Sequence, residues 1–372
     1  MREEEGTISM QKKIFKQNAI TYGMVLAAFA IIQPLLAGGK LSNALTALLI
    51  PFCYYVILAV SLNLTVGILG ELSLGHAGFM CVGAFTSAFF SKCVEGAITN
   101  SLLRFILAIL IGAAFAALFG VLIGIPVLRL RGDYLAIVTL AFGEIIKNVV
   151  NVLYIGRDSA GFHFSMKDSL SLHLEEGGQV LVNGPQGINQ IPRDSSFAIG
   201  MILVLITLFI VLRLVQSRDG RAIMSIRDNR IAAESIGINI TKYKLMAFTV
   251  SAALAGVGGV LYAHSLATLT ATSKNFGFNM SIMILVYVVL GGIGNIRGSV
   301  IAPVLLNLIL DYVLRKLQTL GSNPVLQFMS DNRMLIYAIV LIVIMIFTWS
   351  PKMIAWRESV FKGRKGKEAD PS

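Results

Sequence analysis

Two ionisable residues, Glu144 and Lys147, lie three positions apart inside an otherwise apolar run. Residues at this spacing share one face of a helix, so the two side chains can form an ion pair. Ionisable groups at membrane depth are costly, and they usually face a cavity or one another. Two roles remain open: contact with a substrate ammonium group or a proton, and an internal ion pair that fixes helix packing. We favour the second.

Histidine is the other residue type that could support chemistry here. His76 follows Ser73, whose hydroxyl could cap the helix that begins there. A single histidine in the first turn of a helix is more often a packing residue than a ligand. The other histidines have no cysteine or carboxylate cluster at metal-ligand spacing, so we predict no metal site.

Several catalytic and nucleotide-binding motifs are missing from the sequence. It contains no G-x-x-x-x-G-K-[ST] phosphate loop, no Ser-His-Asp order and no H-E-x-x-H pattern. We therefore expect a protein that is not an enzyme and binds no cofactor itself. If it uses ATP, the nucleotide and its Mg²⁺ must bind to a separate chain.

The composition indicates a membrane protein. The chain of 372 residues is 56% hydrophobic and 14% charged, whereas soluble domains average about 25% charged residues. Its apolar runs have the length of helices that cross about 30 Å of hydrocarbon. We predict an all-α polytopic bundle of ten spans, at 18–37, 43–65, 74–91, 103–127, 135–153, 197–214, 246–265, 280–294, 298–315 and 334–350.

The distribution of Lys and Arg predicts the orientation. With both termini in the cytosol, the inner segments hold about twice as many Lys and Arg as the outer ones. This bias accounts for the net charge of +11 without a nucleic-acid partner. The predicted parts are a cytosolic N-terminal segment, a multi-pass domain in the cell (cytoplasmic or inner) membrane and a basic cytosolic tail, at 1–17, 18–350 and 351–372.

Two glycine-interrupted links occupy comparable places in the two halves of the chain, at 67–76 and 291–298. Transporters interrupt helices where a substrate path or a gate passes through the bundle. Tight cytosolic turns would produce the same pattern, and the sequence does not decide between the two. The candidate path or gate residues are Asn63, Gly67, Gly70, Ser73, His76, Glu144, Lys147, Gly291 and Gly294.

The inner loop 215–245 is more elaborate than a simple reversal of the chain requires. Within it, Gly220–Lys244 reads as two short amphipathic helical segments that carry several arginines. This pattern indicates a docking surface for a cytosolic partner. The candidate contacts are Arg221, Arg227, Arg230, Ala233, Glu234 and Gly237.

Five segments, in the same order, resemble the branched-chain amino acid ABC transporter permeases of the LivH/LivM type, and most of all the LivM branch. They are SLNLTVGILGELSLGHAGFMCVGAF (61–85), LRLRGDYLAIVTLAFGEIIKNV (128–149), NGPQGINQIP (183–192), the stretch 220–263 and VVLGGIGNIRGSVIAPVL (288–305). The resemblance covers roughly residues 45–350. Residues 157–182, in the outer loop 154–196, look inserted relative to the family pattern.

The resemblance implies the permease subunit of an ATP-driven, binding-protein-dependent importer of branched-chain amino acids. Its partners would be a second LivH-like permease, two cytosolic ABC ATPases, an extracytoplasmic substrate-binding protein and the lipid bilayer. The loop becomes a coupling helix, with Ala233, Glu234 and Gly237 matching the family's reduced coupling signature. Four isoleucines would anchor it in an ATPase groove: Ile223, Ile226, Ile231 and Ile236.

Two other functions remain open. Permeases for urea or short amides share much of the same pattern, so the cargo is favoured by resemblance alone. An ion-coupled secondary transporter would use Glu144 and Lys147 and would need no ATPase. The loop at 215–245 argues against this second alternative, because a symporter has no use for it.

Overall fold

The structure is a computed structural model that describes residues 2–309 apart from 131 and 176, together with 339 and 342, and side chains from residue 18 onward. The chain forms two compact units, 1–304 and 305–372, and the packing below is that of the first. The long helices are α1 (Arg2–Ala37), α2 (Asn43–Asn63), α3 (His76–Val94), α4 (Ser101–Val127), α5 (Asp133–Asn151), α6 (Phe197–Gln216), α9 (Ile240–Ala263) and α11 (Phe278–Gly291).

Shorter elements lie between and after these helices. They are α7 (Arg218–Asp228), α8 (Arg230–Ser235), α10 (Ser273–Phe276), α12 (Ile296–Asn307) and the strands β1 (Tyr154–Arg157), β2 (Phe162–Ser165), β3 (Gln179–Asn183), β4 (Ile188–Asn189) and β5 (Thr268–Leu269). Pro51 lies inside α2 without dividing it, and a π-helical turn at Leu64–Leu69 extends this helix. The span predicted at 43–65 is therefore a single helix.

Seven helical segments in the described part of the chain are long and apolar enough to cross a membrane. They are Asn18–Ala37, Asn43–Leu69, His76–Val94, Ser101–Val127, Phe197–Gln216, Ile240–Ala263 and Ser273–Gly291. These segments correspond to seven of the ten predicted spans, and they confirm a polytopic helical membrane protein.

The remaining three predicted spans are not among these seven segments. The span at 135–153 is the 19-residue helix α5, which carries Asp133, Glu144 and Lys147. The span at 298–315 begins within the 12-residue helix α12, and its last residues lie outside the described part. The span at 334–350, like the tail 351–372, lies outside it apart from residues 339 and 342.

Helix α9 is the centre of the bundle, where it packs against α2, α3 and α4. Small residues make these contacts close: a Cβ atom added at Gly83 would lie 2.4 Å from the Gly256 Cα atom, and one added at Gly120 would lie 2.7 Å from the Ala252 Cβ atom. Backbones approach this closely only where side chains are minimal. Small residues recur along α4 at 112–124 and along α9 at 252–259, and they form these helix interfaces.

The outer loop corrects the all-α prediction. Strands β1, β2 and β3 form an antiparallel sheet in the order β2-β1-β3, and β4 pairs with β5 after α9. The segment 157–182 that looked inserted supplies β2 and much of β3. Its β1–β2 turn is held by Asp158, whose Oδ1 atom accepts the N–H of Ala160 at 2.9 Å and of Gly161 at 3.1 Å. The insertion is therefore a folded element.

Close packing along α9 makes a direct stability prediction. A Cβ atom at Gly259 would lie 2.1 Å from the Met80 carbonyl oxygen, so Gly259→Val must push α3 and α9 apart. We expect a loss of ~1–3 kcal/mol or more, as for other overpacked sites. The matched control is Gly23→Val in α1, where nothing lies within 4 Å. Thermal unfolding of the detergent-purified protein measures both, and equal losses would contradict the packing described.

Candidate coupling site and helix breaks

Three side-chain caps divide the segment 217–242 into separate helices. The Ser217 Oγ atom accepts the Gly220 N–H at 3.0 Å and starts α7. Asn229 caps α8 through the Ala232 N–H at 3.1 Å, and Asn239 caps α9 through the Lys242 N–H at 3.0 Å. Such caps satisfy backbone donors that a helix start leaves free. The two predicted amphipathic segments are thus α7 and α8.

Helix α8 ends just before Gly237. The Ile238 N–H donates to the Ala233 carbonyl at 3.1 Å and the Gly237 N–H donates to the Glu234 carbonyl at 3.0 Å. This pair of bonds is a Schellman motif, which places the C′ residue in the left-handed region. Gly237 has a φ of +85°, so glycine suits the position.

The four isoleucines predicted to anchor a partner divide into two pairs. Ile223 and Ile226 are 0% and 4% exposed, because they pack inside this chain. They cannot fill a partner's groove, and that part of the prediction is wrong. Ile231 and Ile236 are 78% and 76% exposed. The two exposed side chains thus belong to α8 and its C-cap, whereas the two buried ones hold α7 against the bundle.

The predicted coupling residues are not equivalent in the structure. Ala233 is buried at 2% exposure against Ile226 and Ile240, so it holds α8 in place. Arg221 and Glu234 are exposed, and Arg230 is half-buried. Arg227 reaches inward to the first helix break.

Arg227 joins α7 to the link that follows α2. Its Nη1 atom donates to the Gly67 carbonyl oxygen at 3.0 Å. A Cβ atom at Gly70, which has a φ of +80°, would lie 2.5 Å from the Arg227 Cγ atom. The arginine stem therefore lies directly over Gly70, and only glycine fits beneath it. Asp228 holds the outward side of the guanidinium at 2.9 Å.

The two glycine-interrupted links meet each other at the Asn63 side chain. Asn63 is fully buried; its Oδ1 atom accepts the Gly294 N–H at 2.8 Å, and its Nδ2 atom donates to the Ser299 Oγ atom at 2.9 Å. A Cβ atom at Gly67 would lie 2.3 Å from the Gly294 nitrogen. In the second link, a Cβ atom at Gly291 would lie 2.4 Å from the Gly298 carbonyl carbon. Asn63, Gly67, Gly70, Gly291 and Gly294 thus form one cluster with Arg227.

Ser73 and His76 lie at the start of α3. Helix α3 begins at His76 with Gly75 as its N-cap residue, and no side chain caps it there. The predicted Ser73 cap is therefore wrong: its hydroxyl is buried and finds no partner among the described residues. His76 is buried, and its Nε2 atom lies 2.7 Å from the Ser61 hydroxyl. This hydrogen bond agrees with the packing role that we favoured for His76.

Glu144 and Lys147 form an ion pair that joins α5 to the start of α11. Lys147 also donates to the Ser273 hydroxyl at 2.9 Å, and Glu144 accepts the Phe278 N–H at 2.8 Å. The carboxylate thus faces the amino end of α11, where negative charge is favourable. These contacts support the role in helix packing.

Two further ion pairs were missed by sequence reasoning. Lys244 in α9 pairs with Glu71 in the first link, and both are largely buried. At the start of α4, Arg104 donates from Nε and Nη2 to both oxygens of Asp194, at 2.7–2.9 Å. In the sequence, Arg104 and Lys244 are charged residues at the edges of apolar runs. That position indicates that each needs a partner, but it does not identify Asp194 or Glu71.

Long apolar helices, joined breaks and an attached amphipathic helix pair define a polytopic membrane protein of the permease class. Residues 44–345 match the family model described as "Branched-chain amino acid transport system / permease component". The chain belongs to this family, and the predicted resemblance is confirmed.

Curated relatives support the same assignment. LivM of Salmonella typhimurium, a high-affinity branched-chain amino acid transport system permease protein, is 35% identical over 292 residues, which are 76% of this chain and 66% of that protein. LivM of Escherichia coli is 37% identical over 261 residues, 68% of this chain and 59% of that protein. The chain thus matches less than two thirds of either relative's length. LivH of Salmonella typhimurium is 24% identical over 257 residues, 68% of this chain and 79% of that protein. No solved structure matches the chain.

The Glu144–Lys147 pair yields a test of its role. Lys147→Met removes the cation and leaves a partly exposed carboxylate unpaired, so we expect a loss of about 1–3 kcal/mol in the free energy of unfolding. The double variant Glu144→Gln/Lys147→Met should recover part of that loss, since Gln can still accept the Phe278 N–H. Thermal unfolding and uptake are measured together. A stable double variant without uptake would show that the charges serve transport.

Proposed function

We propose that this chain is the permease subunit of an ATP-driven, binding-protein-dependent importer of leucine, isoleucine and valine. The family assignment and the names of the LivM relatives support this cargo. A LivH-like permease, two cytosolic ABC ATPases and an extracytoplasmic binding protein complete the transporter. ATP and Mg²⁺ bind to the ATPases. The protein lies in the cytoplasmic membrane, with both termini and the α7–α8 end of the bundle in the cytosol.

The surface of α8 is the observation that carries this proposal. Two large apolar side chains, Ile231 and Ile236, are among the most exposed in the described chain, and they flank the exposed carboxylate of Glu234. An amphipathic helix docks by placing such residues in a groove. An ATPase groove that takes the two isoleucines, with a cation facing Glu234, would fit this surface. The arginines at 221 and 230 add charge that sets the register.

Motion would pass from α8 to the helix breaks over a short path. Ala233 of α8 packs against Ile226 of α7 and Ile240 of α9, and α7 is attached to the first break through Arg227. When the ATPases close on ATP, a seated α8 moves with them as part of a rigid-body rearrangement. The joined breaks at Asn63 would then respond together. The sequence left open whether the links at 67–76 and 291–298 form a gate or tight cytosolic turns. In this mechanism they would be both, because the gate would lie at the cytosolic end of the bundle.

Docking through α8 is tested by changing its exposed apolar contact. Ile231→Glu places a charge where the groove expects an apolar side chain, so the ATPase should dissociate from the permease at least 10-fold more readily. The matched control is Leu170→Glu, which changes an 84% exposed leucine in the outer loop. Co-purification of the ATPases with tagged permease measures both. Unchanged recovery with Ile231→Glu would exclude α8 as the contact.

Coupling is tested separately at Glu234. Glu234→Lys reverses the charge of an exposed side chain and should leave the fold intact, while leucine uptake driven by ATP falls several-fold. Uptake is measured in proteoliposomes that contain both permeases, both ATPases and the binding protein. Normal uptake would contradict the assigned role.

The cargo and the energy source are tested in the same vesicles. Uptake of labelled leucine should require ATP on the side of the membrane where the ATPases are bound, and it should persist without ion gradients. Unlabelled isoleucine or valine should reduce it. Competition by urea or short amides alone would assign the other cargo. Uptake that follows an ion gradient in the absence of ATPases would show a secondary transporter.

A further inference from the structure

A cavity of about 430 Å³ opens between α4 and α5 on the side of the bundle away from the helix breaks. Its wall includes Phe85 and Phe89 from α3, Leu122 from α4, and Phe142 and Val149 from α5. Ile155 of strand β1 closes it at the outer end. The volume falls within the range of small-molecule sites, and none of the roles proposed above uses it.

The lining of this cavity is almost wholly apolar. Its one hydroxyl, that of Thr86, is already bonded to the Val82 carbonyl at 2.7 Å. An apolar cavity without free polar groups does not hold water well, and it binds hydrocarbon instead. An amino acid zwitterion would find no partner for either charge here. The cavity is therefore unsuited to the proposed cargo and suited to a hydrocarbon chain.

The depth of the cavity corresponds to one leaflet of a bilayer. Its wall follows α5 from Phe142 to Val150, a rise of about 12 Å at 1.5 Å per residue, and continues past the end of the helix to Leu153 and Ile155. The hydrocarbon core of a bilayer is about 30 Å thick, so one leaflet is about half of that. The lining residues Leu122, Ile145 and Val149 are 57%, 54% and 46% exposed. The cavity is thus open sideways, toward the hydrocarbon of the bilayer.

The strand that lines the cavity through Ile155 also carries a cation, Arg157. Arg157 lies two residues after Ile155 on β1, so both side chains are on the same face of the sheet. Its guanidinium lies 5.7 Å from the centre of the Phe162 ring and donates to the Cys93 carbonyl at 3.3 Å. Among the described residues, which do not include Glu176, no carboxylate forms an ion pair with Arg157. Asp158, the next residue, is occupied by His163 at 2.9 Å.

We propose that this cavity binds one anionic phospholipid of the outer leaflet, with an acyl chain between α3, α4 and α5 and the phosphate at Arg157. Arg157 offers several N–H donors in a plane, which suits a phosphate group. In this proposal the sheet has a function: Ile155 contacts the acyl chain, and Arg157 contacts the headgroup. The choice of the outer leaflet rests on the proposed orientation, whereas the lipid site itself is independent of the cargo and of the ATPase contacts.

Tryptophan fluorescence in vesicles tests the acyl-chain site. Both natural tryptophans, Trp349 and Trp356, are replaced by Phe in the full-length chain, and one reporter is added: Phe119→Trp in the cavity wall, or Phe115→Trp one turn away on the 45% exposed face of α4. The vesicles are phosphatidylcholine with a minor fraction of phosphatidylglycerol brominated in its acyl chains. We expect quenching at Phe119→Trp to exceed that at Phe115→Trp several-fold.

A second set of measurements tests the contact between Arg157 and the lipid headgroup. Arg157→Gln should remove the excess quenching by brominated phosphatidylglycerol, and brominated phosphatidylcholine should quench both reporters alike. Native mass spectrometry of the purified permease, which needs no reporter, should show a retained anionic phospholipid that Arg157→Gln releases. Equal quenching at the two reporters by both lipids would overturn the proposal. So would loss of the Phe119→Trp quenching when the second permease is added, because the cavity would then be a subunit interface.

Discussion

The buried amide of Asn63 holds two irregular pieces of backbone together, and the architecture around the breaks depends on it. An interrupted helix exposes N–H and C=O groups that hydrocarbon cannot satisfy, so it is stable only where protein supplies partners. Asn63 accepts from Gly294 in one break, and it donates to Ser299 beyond that break. Because Asn63 itself precedes the other break, a single side chain fixes the two relative to each other.

Arg227 extends this arrangement to the connection between α6 and α9. Its bond to the Gly67 carbonyl uses an acceptor within the π-helical turn, and the Lys244–Glu71 ion pair holds the link after that turn from α9. The Lys244–Glu71 pair is largely buried, and buried polar contacts are costly to break. In the proposed mechanism this favours a concerted movement of the link, α7 and α9 over a local distortion of any one of them.

The sequence predicted most of this structure where a signal is repeated along the chain. Apolar runs predicted the seven membrane-spanning segments that the structure describes, and the amphipathic pattern of Gly220–Lys244 predicted the two short helices α7 and α8. Contacts between distant residues were not predictable, because the pattern around Arg227 is the same whether it faces a partner or Gly67. The sequence also could not show that Ile223 is buried and Ile231 is exposed. Both lie on short amphipathic helices, and only the packing shows which face of each helix is covered. The alternation in Phe162–Ser165 was a signal for strand β2 that the prediction of an insertion overlooked.

The central claim is that Arg227 transmits movement of the coupling helices to the joined breaks. The most direct measurement is the number of leucine molecules imported per ATP hydrolysed by the complete transporter in proteoliposomes. With Arg227→Gln, which keeps the stem over Gly70 and loses the charged fork, we expect near-normal ATP hydrolysis and a several-fold lower ratio. Arg227→Lys should fall between this variant and the unchanged protein. An unchanged ratio in Arg227→Gln, with the ATPases still bound, would contradict the account.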